Sequence, residues 1–295
     1  MSAYAGILLI LTAACSWGLI GIVARFVLDS GLHPSELAFW RAMFGGILFM
    51  AAAVLRKEAG LSSGKELLGF MAFGVCSLGA FFIAYMYAIQ ASGAALAAVL
   101  LYTAPAWVAL LARFFFGELL TPVKLAAIAL SLAGVTMVSL SGGTGASGIS
   151  LAGVFFGLLS GFLYSTQYVF TKKFVATHSP FTIFGYSLLF AALALAPLTQ
   201  FTEKSPADWG LLFTLGAGCT FFPYLCYAAG MKRVDASIAS VIATFEPVVA
   251  TTAAWLVWHE SFSPMGWVGS ALVVSAVLLL VLMSGRQPAG GFKKN

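Results

Sequence analysis

The sequence has 295 residues, of which 61% are hydrophobic and only 8% are charged, whereas a soluble domain carries about 25% charged residues. So few charges cannot cover the surface of a soluble monomer, and we therefore expect lipid to surround much of the chain. The net charge of +5 would suit a nucleic-acid partner. The basic residues lie in short gaps between apolar runs, however, where they signal membrane topology instead.

Apolar runs long enough to cross a bilayer recur along the whole chain. A hydrocarbon core of about 30 Å needs about 20 apolar residues per helix. Runs of about this length fall near residues 4–27, 35–55, 67–90, 93–116, 121–141, 150–171, 180–200, 209–230, 236–258 and 265–285. HisPro, ThrPro and SerPro pairs, which begin or break helices, stand in the gaps at residues 33–34, 121–122, 179–180, 205–206 and 263–264. The sequence therefore predicts an all-α integral membrane protein of ten transmembrane helices.

The chain repeats itself at a constant offset of 142 residues. Pro105 corresponds to Pro247, and Glu118 corresponds to Glu260. We expect both prolines to break their helices. We expect a five-helix first half at residues 1–141, a Gly-rich linker at 142–149, a five-helix second half at 150–285 and a polar tail at 286–295. Because five is an odd number, the two halves would have inverted orientations in the membrane. Inverted repeats around a central cavity are typical of transporters.

The basic residues predict the orientation of the ten helices. With the N-terminus in the cytoplasm, twelve of the fifteen Lys and Arg residues lie on the cytoplasmic side, as the positive-inside rule requires. They are Arg56, Lys57, Lys65, Arg113, Lys124, Lys172, Lys173, Lys232, Arg233, Arg286, Lys293 and Lys294. Only Arg25, Arg41 and Lys204 lie at or toward the outside. Both termini are therefore expected in the cytoplasm, with Glu118 on the same side and Glu260 on the opposite side.

Glu246 is the most informative single residue. It lies midway along the predicted ninth helix, where an ionised carboxylate is expensive and indicates a functional site. Pro247 lacks a backbone donor and leaves a nearby carbonyl free, so a cation, a protonated amine or a proton could bind there. Burial penalises the charged form, so the carboxyl group could also load and release a proton. The alternative is a structural Glu246, protonated or paired with Arg41.

Two helices carry polar stripes on otherwise apolar sequences. The sixth predicted helix has Tyr164, Gln167, Tyr168 and Thr171 on one face, and the eighth has Thr220, Pro223, Tyr224 and Tyr227. We expect Tyr164, Gln167 and Tyr224 to line a cavity whose hydroxyl, amide and aromatic groups suit an amphipathic solute. By repeat position Trp17 and Tyr85 join them, together with Tyr102. The alternatives are hydrogen bonds between helices, or a place at the lipid interface for Tyr168 and Tyr227.

Arg41 and three glycines complete the set of candidate residues. Arg41 could recognise a substrate carboxylate. More often such an arginine reaches outward to the interface or pairs with an acid, here Glu36 or Glu246. Gly153, Gly157 and Gly161 repeat every four residues and predict a close packing face on the sixth helix. The four cysteines, Cys15, Cys76, Cys219 and Cys226, lie in apolar segments without CxxC spacing, so we expect neither a disulfide nor a zinc site.

With these features the chain resembles members of the drug/metabolite transporter superfamily, in its EamA-like branch. The resemblance covers nearly the whole chain and rests on the duplicated ten-helix plan with four local motifs. These are SerTrpGly at 16–18, HisProSerGluLeuAlaPheTrpArg at 33–41, TyrThrAlaPro at 102–105 and PheGluProVal at 245–248. It implies that helices 1–4 and 6–9 surround a central cavity while helices 5 and 10 lie to the side, and it implies alternating access. The fourth helix has Ala104 where the ninth has Glu246, so an acidic site would be one-sided.

The resemblance and the candidate residues favour a secondary active transporter of small polar or amphipathic metabolites. Amino acids or related amines are the expected substrates, export is the expected direction, and protons are the candidate coupling ion. The alternatives are a structural or signalling membrane subunit, or an enzyme acting on lipid-linked substrates. An enzyme would need paired acids or a His–acid pair at one depth, whereas Glu246 is the only mid-membrane acid. We expect no catalytic residues, metal, cofactor or nucleic-acid partner, a place in a bacterial inner membrane, and either a monomer or a homodimer.

Overall fold

The computed structural model describes residues 3–61, 63–141, 150–259 and 263–284, and within these ranges it is helical with no β-strand. The predicted linker at 142–149, the predicted tail at 286–295 and Glu260 lie outside the described residues. The helices, numbered in chain order, are α1 Ala3–Asp29, α2 Pro34–Leu55, α3 64–92, α4 93–116, α5 Pro122–Ser141, α6 Leu151–Phe174, α7 Pro180–Leu198, α8 Pro206–Met231, α9 236–258 and α10 Pro264–Ser284. The prediction of an all-α integral membrane fold is confirmed.

Length and hydropathy alone mark eight of the described helices as candidate membrane spans, with Ala104–Phe116 as a shorter apolar helix. The difference from the predicted ten has two causes. Residues 64–101 form one continuous run, but Gly93 has φ 82° and ψ 161°, which ends α3 and begins α4 with a conformation that favours glycine. The other cause is α6. Its 24 residues are long enough to cross a bilayer, but its polar stripe lowers its mean hydropathy.

The prolines mark helix starts as predicted. Five helices begin at the proline of a predicted pair, namely α2, α5, α7, α8 and α10. A proline suits the first turn because the N–H that it lacks would have no partner there. Ser179 and Ser205 cap the helices that follow them, and Ser205 forms a capping box with Asp208.

The two halves pack as a repeat. α2 packs against its counterpart α7, and α5 packs against its counterpart α10. α6 packs against α3 and α4, and its counterpart α1 packs against α8 and α9. Both halves also contain a π-helical segment at matching positions, Phe73–Ala80 in α3 and Ala217–Phe221 in α8. Equivalent helices therefore make equivalent contacts in the two halves, as two copies of one repeated fold do.

Glycines permit the closest crossings. A Cβ atom at Gly157 would lie 2.6 Å from Leu100 Cδ1, and one at Gly161 would lie 2.7 Å from the Leu100 carbonyl oxygen. The predicted packing face of α6 is therefore present and contacts α4. A Cβ atom at Gly134 of α5 would lie 2.6 Å from the carbonyl oxygen of Gly269 in α10. Small residues let apolar helices approach in lipid, where van der Waals packing replaces the hydrophobic effect.

Candidate functional site

The centre of the molecule is built by two matching interruptions in α4 and α9. α9 consists of Ala236–Ala243 and Glu246–Trp258. A proline cannot donate to the carbonyl four residues before it and its ring clashes with that carbonyl. For Pro247 this residue is Ala243, where the first segment ends. In the same way α4 is interrupted between Leu101 and Ala104, and Pro105 lies four residues after Leu101. The predicted helix breaks at Pro105 and Pro247 are therefore both present.

Glu246 is the first residue of the second segment of α9. The first N–H groups of a helix have no intrahelical partner and carry the positive end of its dipole. A carboxylate at this position is favoured over one in the middle of a helix. Among the described residues nothing forms a hydrogen bond or an ion pair with the Glu246 carboxyl group. The chain thus places an acid at a half-helix start and leaves its oxygens for another partner.

A cavity of about 760 Å³ lies beside this break. Its volume is in the range of sites that bind small molecules. Nine of the predicted residues line it, namely Trp17, Arg41, Tyr85, Tyr102, Tyr164, Gln167, Tyr224, Glu246 and Pro247. Pro105 lines a much smaller pocket next to it, which also contacts Tyr102 and Tyr164. The structure therefore brings the predicted residues together, and their roles in binding and coupling stay predictions.

Part of the cavity wall was not predicted from the sequence. Ala94, Ala95 and Ala98 of α4 line the cavity, and Phe81 of α3 lines it with its ring 5.3 Å from that of Tyr164. Alanines three and four positions apart on one helix face would have been the signal for an open wall. Short apolar side chains are equally common at helix–helix contacts, so the pattern alone does not distinguish the two.

Gln167 and Tyr224 connect three helices at the cavity wall. The Gln167 amide nitrogen donates to the carbonyl oxygen of Ser77 at 2.8 Å, within the π-helical segment of α3. The Tyr224 hydroxyl group lies 3.5 Å from the Gln167 amide oxygen. Both side chains are buried. They therefore hold α3, α6 and α8 together as well as facing the cavity, so the helix–helix alternative and the cavity-lining prediction describe the same residues.

An aromatic layer, formed by Trp17, Tyr168, Tyr224 and Tyr227, closes one end of the cavity, with Trp17 and Tyr224 in the cavity wall. The rings of Trp17 and Tyr227 are 5.5 Å apart, and those of Tyr168 and Tyr227 are 5.6 Å apart. Tyr168 and Tyr227 are each only 2% exposed. The alternative that these two tyrosines lie at the lipid interface is therefore wrong. They face each other inside the bundle, because their helices pack with the polar stripes inward.

Arg41 lines the cavity, and its Nε atom donates to the Thr220 hydroxyl oxygen at 3.0 Å. The alternative pairing with Glu36 does not occur. The Glu36 carboxylate is fully buried, pairs with Lys204, and accepts hydrogen bonds from Trp40 and Thr202. Among the described residues no acid forms a direct ion pair with Arg41, Glu246 included.

The opposite end of the bundle is closed by a polar network, formed by Glu118, Lys124, Lys172, Asp235 and Ser237. Glu118 accepts hydrogen bonds from the backbone N–H groups of Ala236 and Ser237, at 2.7 and 3.2 Å, and from the Ser237 hydroxyl group. The acid that follows α4 thereby caps α9. The Lys124 Nζ atom lies 2.7 Å from Asp235 Oδ2 and 3.7 Å from Glu118 Oε2.

Lys172 belongs to this network through the end of α8. Its Nζ atom donates to the carbonyl oxygens of Met231 and Val234, at 2.8 and 2.5 Å. A lysine at a helix end was expected only as a topology signal. Here it also satisfies carbonyl groups at the end of another helix, whereas the adjacent Lys173 is exposed.

Comparison with known proteins agrees with this architecture. A model of the EamA-like transporter family matches residues 4–140 and 151–282. The uncharacterized inner membrane transporter YicL of Salmonella typhimurium is 26% identical over 96% of this chain and 97% of its own length. The pseudopaline exporter CntI of Pseudomonas aeruginosa is 23% identical over 93% of this chain and 95% of its own. An uncharacterized transporter of Archaeoglobus fulgidus is 28% identical over 88% and 92%.

A crystal structure of a protein that is 21% identical superposes with a TM-score of 0.83, over 97% of this chain and 99% of the other. At this identity the likeness shows the fold alone. The family match covers both halves and omits only the predicted linker, the last residues and the first three. The chain is a multi-pass membrane protein and belongs to the EamA-like transporter family, within the drug/metabolite transporters.

Proposed function

We propose that the protein is a secondary active transporter that exports small amphipathic metabolites carrying an amine, by alternating access. The observation that carries this proposal is Glu246, a carboxylate that forms no hydrogen bond or direct ion pair among the described residues, at the start of a half-helix in a cavity of about 760 Å³. Broken helices at mid-depth are where transporters bind substrates and coupling ions. Glu246 binds the substrate amine or a proton, and the two compete for it.

Alternating access is supported by the difference between the two ends of the bundle. The cavity reaches the first turn of α4, where Ala94 and Ala95 line it. The other end is blocked by the aromatic layer and, beyond it, by the polar network. One conformation with a single accessible end is what a transporter adopts between two transport steps.

The proposed direction of transport and the proposed location of the termini have separate support. CntI is named as an exporter, which supports export, and the distribution of Lys and Arg supports a cytoplasmic location of both termini and of the polar network. In that orientation the cavity faces outward, the state in which an exporter releases its substrate. The substrate of CntI belongs to that protein, and the cavity here supports only the broader class of amine-bearing solutes.

The test is solute flux in proteoliposomes, with and without a pH gradient. The probes are phenylalanine, leucine and tryptophan, each with its decarboxylated amine, and the variants are Glu246→Gln and Glu203→Gln. Glu203 is an exposed acid, so its variant is the matched control. We expect the wild type to move at least one probe faster with the pH gradient than without it. In Glu246→Gln we expect this acceleration to be at least 10-fold smaller.

Two results would contradict the proposal. If Glu246→Gln transports with the same pH dependence as the wild type, then Glu246 is structural. If the wild type moves none of the probes in either condition, then amine-bearing solutes are not the substrates. Loss of binding in Glu246→Gln, as distinct from loss of pH dependence, would assign Glu246 to the amine itself.

A further inference from the structure

The guanidinium group of Arg41 is held in the cavity by one edge. Its Nε atom donates to Thr220 at 3.0 Å. The Thr220 hydroxyl group in turn donates to the carbonyl oxygen of Leu215 at 3.1 Å. That carbonyl lies five residues earlier, two residues before the π-helical segment Ala217–Phe221. The widened turn thus aims the Thr220 oxygen at Arg41 and uses the hydroxyl proton elsewhere, so this oxygen acts as an acceptor.

The backbones of α2 and α8 approach closely enough to make this contact rigid. A Cβ atom at Gly45 would lie 2.7 Å from Thr220 Cγ2, and one at Gly216 would lie 2.4 Å from Phe44 Cβ. Replacing Gly45 or Gly216 by alanine would therefore push α2 and α8 apart. The two glycines therefore set the position of Arg41 relative to Thr220, one helical turn from the Gly45 crossing.

No acid among the described residues forms a direct ion pair with the guanidinium group, although the charges of Arg41 and Glu246 interact at longer range. Arginine presents five N–H donors in a planar fork, and the Thr220 contact uses one of them. Glu36, five residues earlier on the same helix, is already paired with Lys204. Glu246 lines the same cavity without forming a direct ion pair with Arg41. A cation in a membrane-embedded cavity is costly and marks a pathway for a charged ligand.

We infer that Arg41, positioned by Thr220, is a binding site for the carboxylate of the transported solute. Its Nη groups bind both carboxylate oxygens, a geometry for which arginine is suited and lysine is not. Glu246 binds the amine of the same molecule, and the aromatic walls contact its apolar part. This inference rests on the proposed function and narrows it, because it predicts zwitterions as substrates in preference to plain amines.

Three probes share the same apolar part and differ in which charged groups they carry. Phenylalanine carries both groups, phenethylamine lacks the carboxylate, and 3-phenylpropionate lacks the amine. Binding is measured on the purified protein by ligand-induced thermal stabilisation, since a ligand that binds only the folded state raises the melting temperature. Flux of the same probes is measured in proteoliposomes. The variants are Arg41→Gln, Arg41→Lys, Thr220→Val and Thr220→Ser, with Arg113→Gln, an exposed arginine at the other end, as the control for charge.

We expect the wild type to bind phenylalanine more tightly than either single-charge probe. Arg41→Gln lowers the affinity for phenylalanine by about 10-fold or more, since a hydrogen-bonded charge contact is lost, and removes its advantage over phenethylamine. Arg41→Lys keeps the charge without the fork and recovers only part of the affinity. Thr220→Val reproduces a weaker version of the loss, Thr220→Ser retains wild-type affinity, and Arg113→Gln leaves the preference intact.

The inference is overturned if the wild type binds phenylalanine and phenethylamine equally, or if Arg41→Gln lowers the affinity for both probes in the same proportion. The second result would make Arg41 a structural residue. Transport of these probes that survives with no preference for the carboxylate would leave the proposed function standing and remove only the carboxylate site. If the wild type neither binds nor moves any of the three, and moves none of the leucine and tryptophan probes either, the carboxylate site and the proposed function fail together.

Discussion

The two ends of the bundle are built from equivalent segments, yet they differ. Ser237, in the first turn of α9, is 1% exposed and bound by Glu118. Its counterpart 142 positions earlier is Ala95, in the first turn of α4, which lines the cavity. Because both halves have the same fold, the topology cannot cause this difference. It arises from a conformation in which one end is held by specific contacts, and those contacts are where the equilibrium between states can be shifted.

Depth along α6 and α8 shows the same contrast in layers. Tyr164 and Tyr224 line the cavity, Tyr168 and Tyr227 are buried beneath it, and Lys172 bonds to the end of α8 beyond them. The polar stripe of each helix thus runs from an accessible wall, through a closed aromatic layer, into the polar network. For a solute to cross the protein, the contacts in the aromatic layer and in the polar network have to separate.

Two single cysteines can report on the two ends, in a protein whose four native cysteines are replaced by alanine. Ser240 is 2% exposed and lines the small pocket next to the cavity, whereas Ser139 lines the cavity itself. The two variants are Ser240→Cys and Ser139→Cys. We expect N-ethylmaleimide to label Ser139→Cys rapidly and Ser240→Cys slowly. Labelling rates at both positions then measure which end is accessible.

The largest shift is expected from Glu118→Ala. The change leaves the N–H groups of Ala236 and Ser237 without their acceptor and deprives the buried Lys124 of one of its two acids. Removing one partner of a buried ion pair costs about 3–5 kcal/mol. We expect the labelling rate of Ser240→Cys to rise by about 10-fold or more and that of Ser139→Cys to fall.

Glu58→Ala is the matched control, because Glu58 has an exposed side chain. It should leave both labelling rates unchanged. An unaltered rate at Ser240→Cys in the Glu118→Ala protein would mean that the polar network does not hold this end closed.

A smaller shift in the same direction is expected from Lys172→Gln. This variant loses the charged donor that satisfies the carbonyl oxygens of Met231 and Val234. Hydrogen bonds to a charged group are worth about 1.5–3 kcal/mol when buried, and Lys172 is half-buried, so we expect a rise of about fivefold in Ser240→Cys labelling. Lys173→Gln, one position along, removes an exposed lysine and should have no effect. Equal effects of the two variants would assign both to the general loss of charge.

A shift of opposite sign, no larger than that of Lys172→Gln, is expected from Glu260→Ala. Glu260 is the sequence counterpart of Glu118, so in the alternate state it is expected to cap the start of α4. Loss of a helix cap costs about 1 kcal/mol, which would disfavour that state and slow Ser240→Cys labelling by about fivefold. Glu203→Ala serves as the control. Faster labelling of Ser240→Cys would show that the two acids do not play equivalent roles.

Several features could be read from the sequence because they depend on short-range chemistry. The proline pairs mark five helix starts, and Pro247 interrupts α9 where its missing donor requires it. The junction between α3 and α4 was harder, since the helical run continues past it and only the positive φ of Gly93 separates the two. Tyr168 and Tyr227 were ambiguous for another reason. A tyrosine near a helix end suits both the lipid interface and a helix contact, and the sequence contains no record of which face packs inward.

Composition, hydrophobic run length and the internal repeat by themselves determined that this chain is an all-α membrane protein of the EamA-like kind, with an acid beside a proline at mid-depth. These features follow from local helix chemistry and from the cost of polar groups in lipid. Only the tertiary structure decided that Arg41 binds Thr220 and that Glu118 caps α9. These partners are 179 and 118 positions apart in sequence, so only the packing of the helices, with their depth and rotation, brings them together.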